Sequence, residues 1–385
     1  MDNGYIPFNK PFIIGKELYY VAQSVLSAHT AGDGPYSRRC EALLEERFSV
    51  AQVLLTTSCT SALEMAAILC DIAPGDEVVL PSYTFVSTAN AFLLRGARLR
   101  FVDIRPDTLN LDETRLEEAI SDRTVAIIPV HYAGIGCEMD AIMPLARQRG
   151  LSVIEDAAQG VNARYRGAYL GTIGDMGAYS FHETKNFICG EGGAFLTHDP
   201  DFVRRAEIVR EKGTNRPQFF RGEVDKYTWV DIGSSYLPSD MLAAFLYAQL
   251  EHMDEITAKR QRIYAAYQAA LQPLASQGLL SLPTIPGHCE PNHHMFYIVV
   301  GDHATRTRLL AYLNQRGVNA VFHYVPLHTS PVGQTMGYRR GMLPVTEDVS
   351  ERLIRLPFFY ELTESEVSRV AELIAAFFAG GQAGA

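Results

Sequence analysis

The 385 residues contain one tryptophan, and the six cysteines (Cys40, Cys59, Cys70, Cys137, Cys189 and Cys289) are scattered with no C-x-x-C pair. That pattern disfavours a disulfide framework or a thiolate zinc site and predicts reduced thiols. No H-E-x-x-H spacing occurs among the eleven histidines, and only His293 and His294 are adjacent, so no metal site is predicted. Basic residues are the minority, 34 Lys and Arg against 44 Asp and Glu, a net charge of −10. Such a chain is a poor general binder of polyanions, although one basic pocket for a single phosphate group stays compatible with it. No apolar run reaches the roughly 18 residues of a membrane span. The opening MDNGYIPFNKPF lacks the charged start and apolar stretch of a secretory signal. No period of 20–50 residues repeats, which sets solenoids and propellers aside. The expectation is a cytoplasmic protein that binds neither nucleic acid nor membrane.

What is present is ample core material: 47% of the residues are hydrophobic and 10% aromatic. Between residues 50 and 200, short β-branched runs alternate with amphipathic stretches. The runs lie at 53–55, 77–80, 99–102, 125–130 and 153–154, and helical patterns fall at 61–72, 85–94 and 112–120. The runs rarely alternate with polar residues, as expected of strands buried on both faces. The rhythm predicts an α/β fold with a mostly parallel, doubly wound sheet, extended by strands at 177–181 and 193–196. Beyond residue 200 come a helix at 202–212, a polar-aromatic loop at 213–236 and a long helix at 239–272 with Ser239 as its N-cap. A smaller α+β unit follows, with strands at 295–300 and 318–322 and helices at 304–316 and 364–378. The division is 1–250 for a large cofactor-binding domain and 251–385 for a small one. The stretch 283–291 is the expected linker, and 380–385 the expected disordered tail.

Ligands of open α/β sheets sit at the carboxyl ends of the strands, and three features fall there. Thr57-Ser58-Cys59-Thr60-Ser61 follows a strand and opens a helix, offering backbone N–H groups and hydroxyls to a phosphate. Read alone, the segment serves at least as well as an ordinary N-cap. Asp156 closes a strand; a carboxylate there can hold a ring nitrogen protonated, or simply cap a helix. Lys185 follows Ser180-Phe181-His182-Glu183-Thr184 and precedes Gly190-Glu191-Gly192-Gly193. A desolvated amine in that setting can form a Schiff base, though most lysines are solvated surface charges. Together, a phosphate cup, a carboxylate and an amine in this order match what pyridoxal 5′-phosphate requires. A dinucleotide is a poorer fit because Gly134-Ile135-Gly136 lacks the third glycine of G-x-G-x-x-G, and no P-loop motif exists.

Four ordered blocks carry a resemblance. Pro81-Ser82-Tyr83-Thr84-Phe85-Val86-Ser87-Thr88, Pro129-Val130-His131-Tyr132-Ala133-Gly134, Glu155-Asp156-Ala157-Ala158-Gln159 and Ser180-Phe181-His182 with Lys185-Asn186 resemble the signatures of the DegT/DnrJ/EryC nucleotide-sugar aminotransferases. The resemblance runs from Pro7 to Phe378 and implies a fold type I pyridoxal-phosphate transferase, with a large domain on a seven-stranded-type sheet and a smaller C-terminal domain. Stretches 181–186, 210–216, 225–229 and 231–237 are most similar to the branch that makes dTDP-4-amino-4,6-dideoxygalactose for bacterial surface polysaccharides. By resemblance, Lys185 is the Schiff-base lysine and proton shuttle, Asp156 pairs with the pyridine nitrogen, and Gln159 meets the ring hydroxyl. Cys59, Thr60 and Ser180 hold the phosphate, and Phe85 stacks on the ring.

The resemblance further implies glutamate as amino donor, a nucleotide-linked keto sugar as acceptor and a homodimer with its active site at the subunit interface. Where several relatives send an Asn to the partner's phosphate, this chain has Leu237, leaving Ser234 or Ser235 for that contact. Lys185 also excludes the side branch that replaces this lysine with His for dehydration. His323 and His328 are candidates to approach the sugar, and Arg216, Arg221 and Lys226 to meet its diphosphate; structural histidines and a solvated loop explain these residues equally well. His131 and His182 flank the site by position. Three rivals remain: the same chemistry on another keto sugar, a pyridoxal-phosphate-binding regulator without turnover, and a desulfurase. The last needs a mobile nucleophilic Cys, for which Cys289 is the candidate.

Overall fold

The computed structural model describes residues 4–381. Its centre is a seven-stranded sheet of β1 (Gln52–Thr56), β2 (Glu77–Pro81), β3 (Arg98–Val102), β4 (Thr124–Ile127), β5 (Ser152–Asp156), β6 (Met176–Ser180) and β7 (Gly193–Thr197). The spatial order is β1-β7-β6-β5-β4-β2-β3. Every pair from β3 through β2, β4 and β5 to β6 is parallel, while β7 runs antiparallel to both β1 and β6. The two-residue side-chain period sorts the apolar runs onto two faces. Val53, Leu55, Val79, Ile127 and Val153 join one buried cluster, whereas Leu54, Val78, Leu80 and Ile154 join another.

Helices cover both faces, as a parallel sheet requires. On one side lie α1 (Glu17–Leu26), α2 (Pro35–Phe48), α5 (Met139–Arg149) and α7 (Asp240–Leu250); on the other are α3 (Cys59–Leu69), α4 (Val86–Leu93) and α6 (Pro200–Arg210). The region 112–120, expected as one helix, is a single 3-10 turn at Glu113–Arg115 followed by the short helix Leu116–Ala119.

The predicted helix at 239–272 is two helices. At His252 the backbone leaves helical geometry (φ −114°, ψ 23°), and α8 (Met253–Ser276) starts in a new direction. Apolar periodicity continues across the break without Gly or Pro to mark it. The first turns of α8 place Met253 and Ile256 in the core with β1, and its later residues, Ile263, Tyr264, Tyr267 and Leu271, belong to a third cluster. That third core is built on β8 (Leu280–Ser281), β9 (Tyr297–Val300) and β10 (Leu353–Arg355), all antiparallel, with α9 (His303–Gln315) and α10 (Glu364–Gly381).

Three further expectations change here. Residues 318–322 are not a strand: Val318 and Val321 make single bridges, to Ile6 and Arg355. Val318 and Ala320 owe their apolar character to burial, whereas Phe322 is exposed at the cavity. The N-terminus departs from a division at residue 250, because Ile6 packs in the third core. The predicted disorder from residue 380 is overturned at Gly380 and Gly381, which continue α10; residues 382–385 lie outside the described residues.

Gly193 begins β7 opposite both Thr56 and Ser180, and a Cβ there would lie 2.3 Å from the Ser58 carbonyl carbon and 2.4 Å from the Cys59 nitrogen. Only a residue without a side chain lets β7 pass this close to the start of α3. Gly193→Ala is expected to destabilise the protein by about 1–3 kcal/mol, read as a lower thermal midpoint with weaker cofactor retention; an unchanged midpoint would show that the loop moves freely.

Candidate active site

A cavity of about 610 Å³ opens at the carboxyl edge of the sheet. Its walls come from the ends of β1, β2, β4, β5 and β6, where residues of five connections converge. Cys59, Thr60, Phe85, Asp156, Gln159, Ser180, Lys185 and His323 all line it, so the structure brings together every cofactor-binding candidate of the sequence.

The β1–α3 turn supplies an anion cradle. Ser58 caps α3, its hydroxyl accepting from the Ser61 N–H at 3.1 Å. The N–H groups of Cys59 and Thr60 meet no acceptor among the described residues, as expected for the first turn of a helix. Thr60 Oγ1 donates to Ser87 Oγ at 2.8 Å, which carries a second hydroxyl into the wall. Ser180, at the end of β6, adds a third. Burial pushes the Cys59 thiol well above its ordinary pKa, so Cys59 serves through its backbone rather than as a thiolate.

Asp156 is 5% exposed. One oxygen accepts from Thr88 Oγ1 at 2.6 Å, the other from the Ala158 N–H at 3.1 Å, and Thr88 is itself bonded to Thr84 at 2.8 Å. The carboxylate is therefore fixed in orientation while still facing the cavity. Gln159 Oε1 accepts from the Ala133 N–H at 2.7 Å and its Nε2 donates to Tyr324 Oη at 2.9 Å, leaving one N–H of the amide. Phe85 caps α4, and its ring is 58% exposed at the cavity, with Tyr324 tilted 6.5 Å away. A free aromatic face this large suits a planar ligand.

Lys185 sits in a loop returned to the sheet by Phe181 N–H to Gly192 carbonyl (2.8 Å) and Cys189 N–H to Phe181 carbonyl (2.9 Å). Its amine donates no hydrogen bond and forms no ion pair among the described residues. Burial holds the ammonium below its ordinary pKa; the nearby Cys59 and Asp156 oppose that shift, and the positive charge of Arg355 adds to it. These features make a nucleophilic amine.

Sequence reasoning missed several lining residues: Thr88, His294, Tyr324 and Arg355. His294 Nδ1 donates to Asn186 Oδ1 at 2.9 Å, since the Asn186 amide donates to the Asn292 carbonyl. Its adjacency to His293 was visible but pointed to no site. His131 is fully buried: its Nδ1 accepts from the Cys137 N–H (3.1 Å), so Nε2 donates to Glu155 at 2.7 Å. His182 lies at the cavity wall, bonded to Thr184. His323 accepts from or donates to Tyr132 Oη at 2.7 Å, and burial holds it well below the ordinary histidine pKa.

The remaining candidates are placed elsewhere. His328 is fully buried between Ser82 (2.7 Å) and Glu347 (2.9 Å), a structural contact away from the cavity. Arg216 and Arg221 line a second cavity of about 550 Å³ with Leu237, and are paired with Glu211 (2.8 Å) and with Glu207 and Glu223 (2.9 and 2.6 Å). Lys226 is exposed on the same loop. Within one chain, none of these cations reaches Lys185's cavity. Ser235 makes a single bridge to Glu211, and the Ser234 carbonyl accepts from the Lys212 N–H at 3.0 Å. Cys289 is buried in a strand pair with Tyr165, and burial pushes its thiol up to about 11, which removes the mobile nucleophile a desulfurase needs.

A phosphate cradle, a fixed carboxylate, an open aromatic face and an unpartnered amine, together on this sheet edge, fit pyridoxal 5′-phosphate, and the architecture is that of the α/β transferases that use it. The chain belongs to the DegT/DnrJ/EryC1/StrS aminotransferase family, whose model matches residues 13–375, and its cofactor is pyridoxal 5′-phosphate. It is similar to the aminotransferase TlmJ from Streptoalloteichus hindustanus, at 30% identity and a TM-score of 0.89 over 98% of this chain and 100% of that one. It is likewise similar to DesV from S. venezuelae, solved in complex with a ketimine intermediate, at 30% identity and a TM-score of 0.88 over 97% and 98% of the two chains. A curated relative described as a pleiotropic regulatory protein of Geobacillus stearothermophilus is 31% identical over 94% of both chains. Among the described residues no helix is long and apolar enough to cross a membrane.

Next to this cavity, burial and the charge of Arg260 hold His293 at a pKa of about 4, below its ordinary 6.5. A histidine whose folded pKa is depressed stabilises the fold above its unfolded value, and that contribution is lost as pH falls through the folded value. The thermal midpoint is therefore expected to decline between pH 6.5 and pH 4. His293→Asn, which tolerates the positive φ of 52° at this position, is expected to flatten that decline; an identical acid limb would assign it to other groups.

Proposed function

We propose that this aminotransferase moves an amino group from glutamate to C4 of dTDP-4-keto-6-deoxy-D-glucose, giving dTDP-4-amino-4,6-dideoxy-D-galactose for bacterial surface polysaccharide. The observation that carries the chemistry is the unpartnered Lys185 amine in one cavity with the fixed carboxylate of Asp156. The sugar rests on the similarity of stretches 181–186, 210–216, 225–229 and 231–237 to one branch of the family. TlmJ and DesV, an aminotransferase and a ketimine-bearing enzyme by their descriptions, are consistent with it.

The residues divide the work as follows. The N–H groups of Cys59 and Thr60, with the Ser180 hydroxyl, would hold the cofactor's phosphate; Asp156 would keep its pyridine nitrogen protonated; Phe85 would cover one ring face, and Gln159 would meet the ring hydroxyl. Lys185 would be its point of attachment. When bound, the cofactor supplies the electron sink that makes the carbon bearing the transferred nitrogen acidic. Lys185, its pKa lowered by burial, takes the proton from Cα of the donor and returns one to C4 of the sugar. The face of C4 that meets this amine sets the product's configuration.

A homodimer is part of the proposal. Leu18, Tyr19, Val25 and Leu26 of α1 and Trp229, Val230 and Ile232 of the loop at 213–236 are large apolar side chains left exposed, the kind of surface a second copy covers. Such a partner would also bring the loop bearing Arg216, Arg221 and Lys226 within range of a substrate diphosphate.

Absorption spectra test the chemistry. The wild-type holoenzyme is expected to show the yellow band of the lysine-bound cofactor, to bleach with glutamate, and to recover on addition of dTDP-4-keto-6-deoxyglucose; Lys185→Ala is expected to lack the band and all turnover. Bleaching without recovery discards this sugar. A band that no amino acid bleaches discards transamination in favour of a cofactor-binding regulator. The C4 configuration of the product, read by proton NMR couplings, separates galacto from gluco.

A further inference from the structure

A buried imidazole beside Lys185 has one ring nitrogen in use and one free. His294 lines the cavity together with Lys185. Its Nδ1 donates to Asn186 Oδ1 at 2.9 Å, and Asn186 is the residue that follows Lys185 in the chain. The Asn186 amide is itself fixed by donating to the Asn292 carbonyl at 2.8 Å, so its oxygen is what the ring meets. Asn292 in turn donates to the carbonyls of Gln159 and Val161, both at 2.8 Å. The main chain behind the ring is pinned as well, because the His293 and His294 carbonyls accept from Arg260 at 3.0 and 2.5 Å.

These contacts decide the tautomer. A neutral imidazole with its proton on Nδ1 carries a lone pair on Nε2. Burial, together with the positive charges of Lys185, Arg260, Arg355 and His323, holds His294 well below the ordinary histidine pKa, so the ring is neutral. Nε2 receives no hydrogen bond among the described residues. An acceptor without a donor and an amine without an acceptor thus stand in one cavity. Of the cations that act on the ring, Lys185 acts most strongly. Arg260 has donors on main-chain carbonyls, and the Arg355 guanidinium lies over the Phe8 ring, 4.7 Å from its centroid. Because the ring hangs from the residue next to Lys185, ring and amine keep their relation whichever substrate is present.

We propose that His294 positions the Lys185 amine: Nε2 accepts one of its N–H groups and so turns the amine's lone pair toward the carbon that gives up or receives the proton. The assignment rests on the transaminase reading above. Lys185 moves the proton in both half-reactions, so His294 serves both. The same hydrogen bond favours the ammonium over an amine with no acceptor, and so partly offsets burial. Cys59 and Asp156 act in that sense too, and Arg355 against it.

Two variants separate the ring nitrogens. In His294→Asn the amide takes the place of Nδ1 and keeps the bond to Asn186; in His294→Gln the longer side chain brings an amide oxygen to the place of Nε2. Retention of the yellow band shows that each folds and binds cofactor. His294→Asn is expected to lose about 10-fold in kcat with glutamate and with the keto sugar at unchanged KM, as for one lost hydrogen bond to an ionisable group. Its kinetic isotope effect with 2-deuterated glutamate should exceed that of wild type, and His294→Gln should recover part of the rate. In cofactor-free protein, the pH dependence of Lys185 acylation, read by mass spectrometry, should move down by about one pH unit in His294→Asn. Nitrogen-15 spectra of histidine-labelled wild type should show His294 protonated at Nδ1 and bare at Nε2. An Nε2-protonated ring, an unmoved Lys185 titration, or His294→Gln impaired as much as His294→Asn overturns the assignment. The spectra and the titration need no turnover. A wild type that no amino acid bleaches therefore removes transamination, while those two measurements still judge the pairing of His294 with Lys185.

Discussion

The Glu155 carboxylate is completely buried and accepts four hydrogen bonds: from His131 Nε2 at 2.7 Å and from the N–H groups of Gly171, Ile173 and Gly174 at 2.8, 2.6 and 2.6 Å. A buried charge is tolerated only when its lone pairs are met in this way. The four donors come from two connections, the one leaving β4 and the one entering β6, so a single side chain sets where both meet the end of β5. Its neighbour Asp156 points to the other side of the strand, into the cavity. The alternation of a β-strand thus places one carboxylate to build the site and the next to face its ligand. His131, by motif position a candidate for chemistry, belongs to the first task.

The same separation governs charge. Hydroxyls and imidazoles make much of the cavity wall, and two of its cations, Lys185 and Arg355, share it with the fixed carboxylate of Asp156. Burial disfavours positive charge on Lys185, His294 and His323, and each cation makes the others costlier. This environment favours the neutral form of the amine and of these two imidazoles, while guanidinium retains its charge. An amine biased toward its neutral form thus stands in the same cavity as a fixed positive charge.

Much of this was legible in the chain. The β-branched runs at 53–55, 77–80 and 153–154 are strands because burial on both faces leaves no room for polar alternation, and a parallel sheet then dictates where ligands go. Thr60, Asp156, Ser180 and Lys185 could be read because their positions at strand ends are local facts of sequence. Arg355 and His294 could not: they reach the cavity only through packing of the third core, some 170 and 109 residues after Lys185, and nothing in their flanks distinguishes them from a strand-edge Arg or a loop His. The break at His252 was invisible for a related reason. The apolar period runs unbroken through α7 and α8, and only the existence of two cores, each claiming one of the helices, explains why the chain turns there.

That division of the core has a functional corollary. The walls of the cavity come from two bodies: the carboxyl edge of the main sheet supplies the phosphate cradle, Asp156 and Lys185, whereas β10 and the segment at 322–324 supply Arg355, His323 and Tyr324. Polar ties across the gap, among them Gln159 to Tyr324 and Tyr132 to His323, are joined by a buried cluster in which Tyr83, Ile104, Leu109 and Tyr132 pack with Met295, Tyr297, Val349 and Leu353. The cofactor-holding groups therefore sit on the rigid parallel sheet, where displacement of one strand would disturb two clusters at once. Arg355, His323 and Tyr324 line the opposite wall, from the smaller sheet and the segment beside it. On the proposed function, an enzyme that admits two unlike molecules in turn and keeps one cofactor throughout would be served by that arrangement, with the permanent ligand held by one core and the transient ones met by the other.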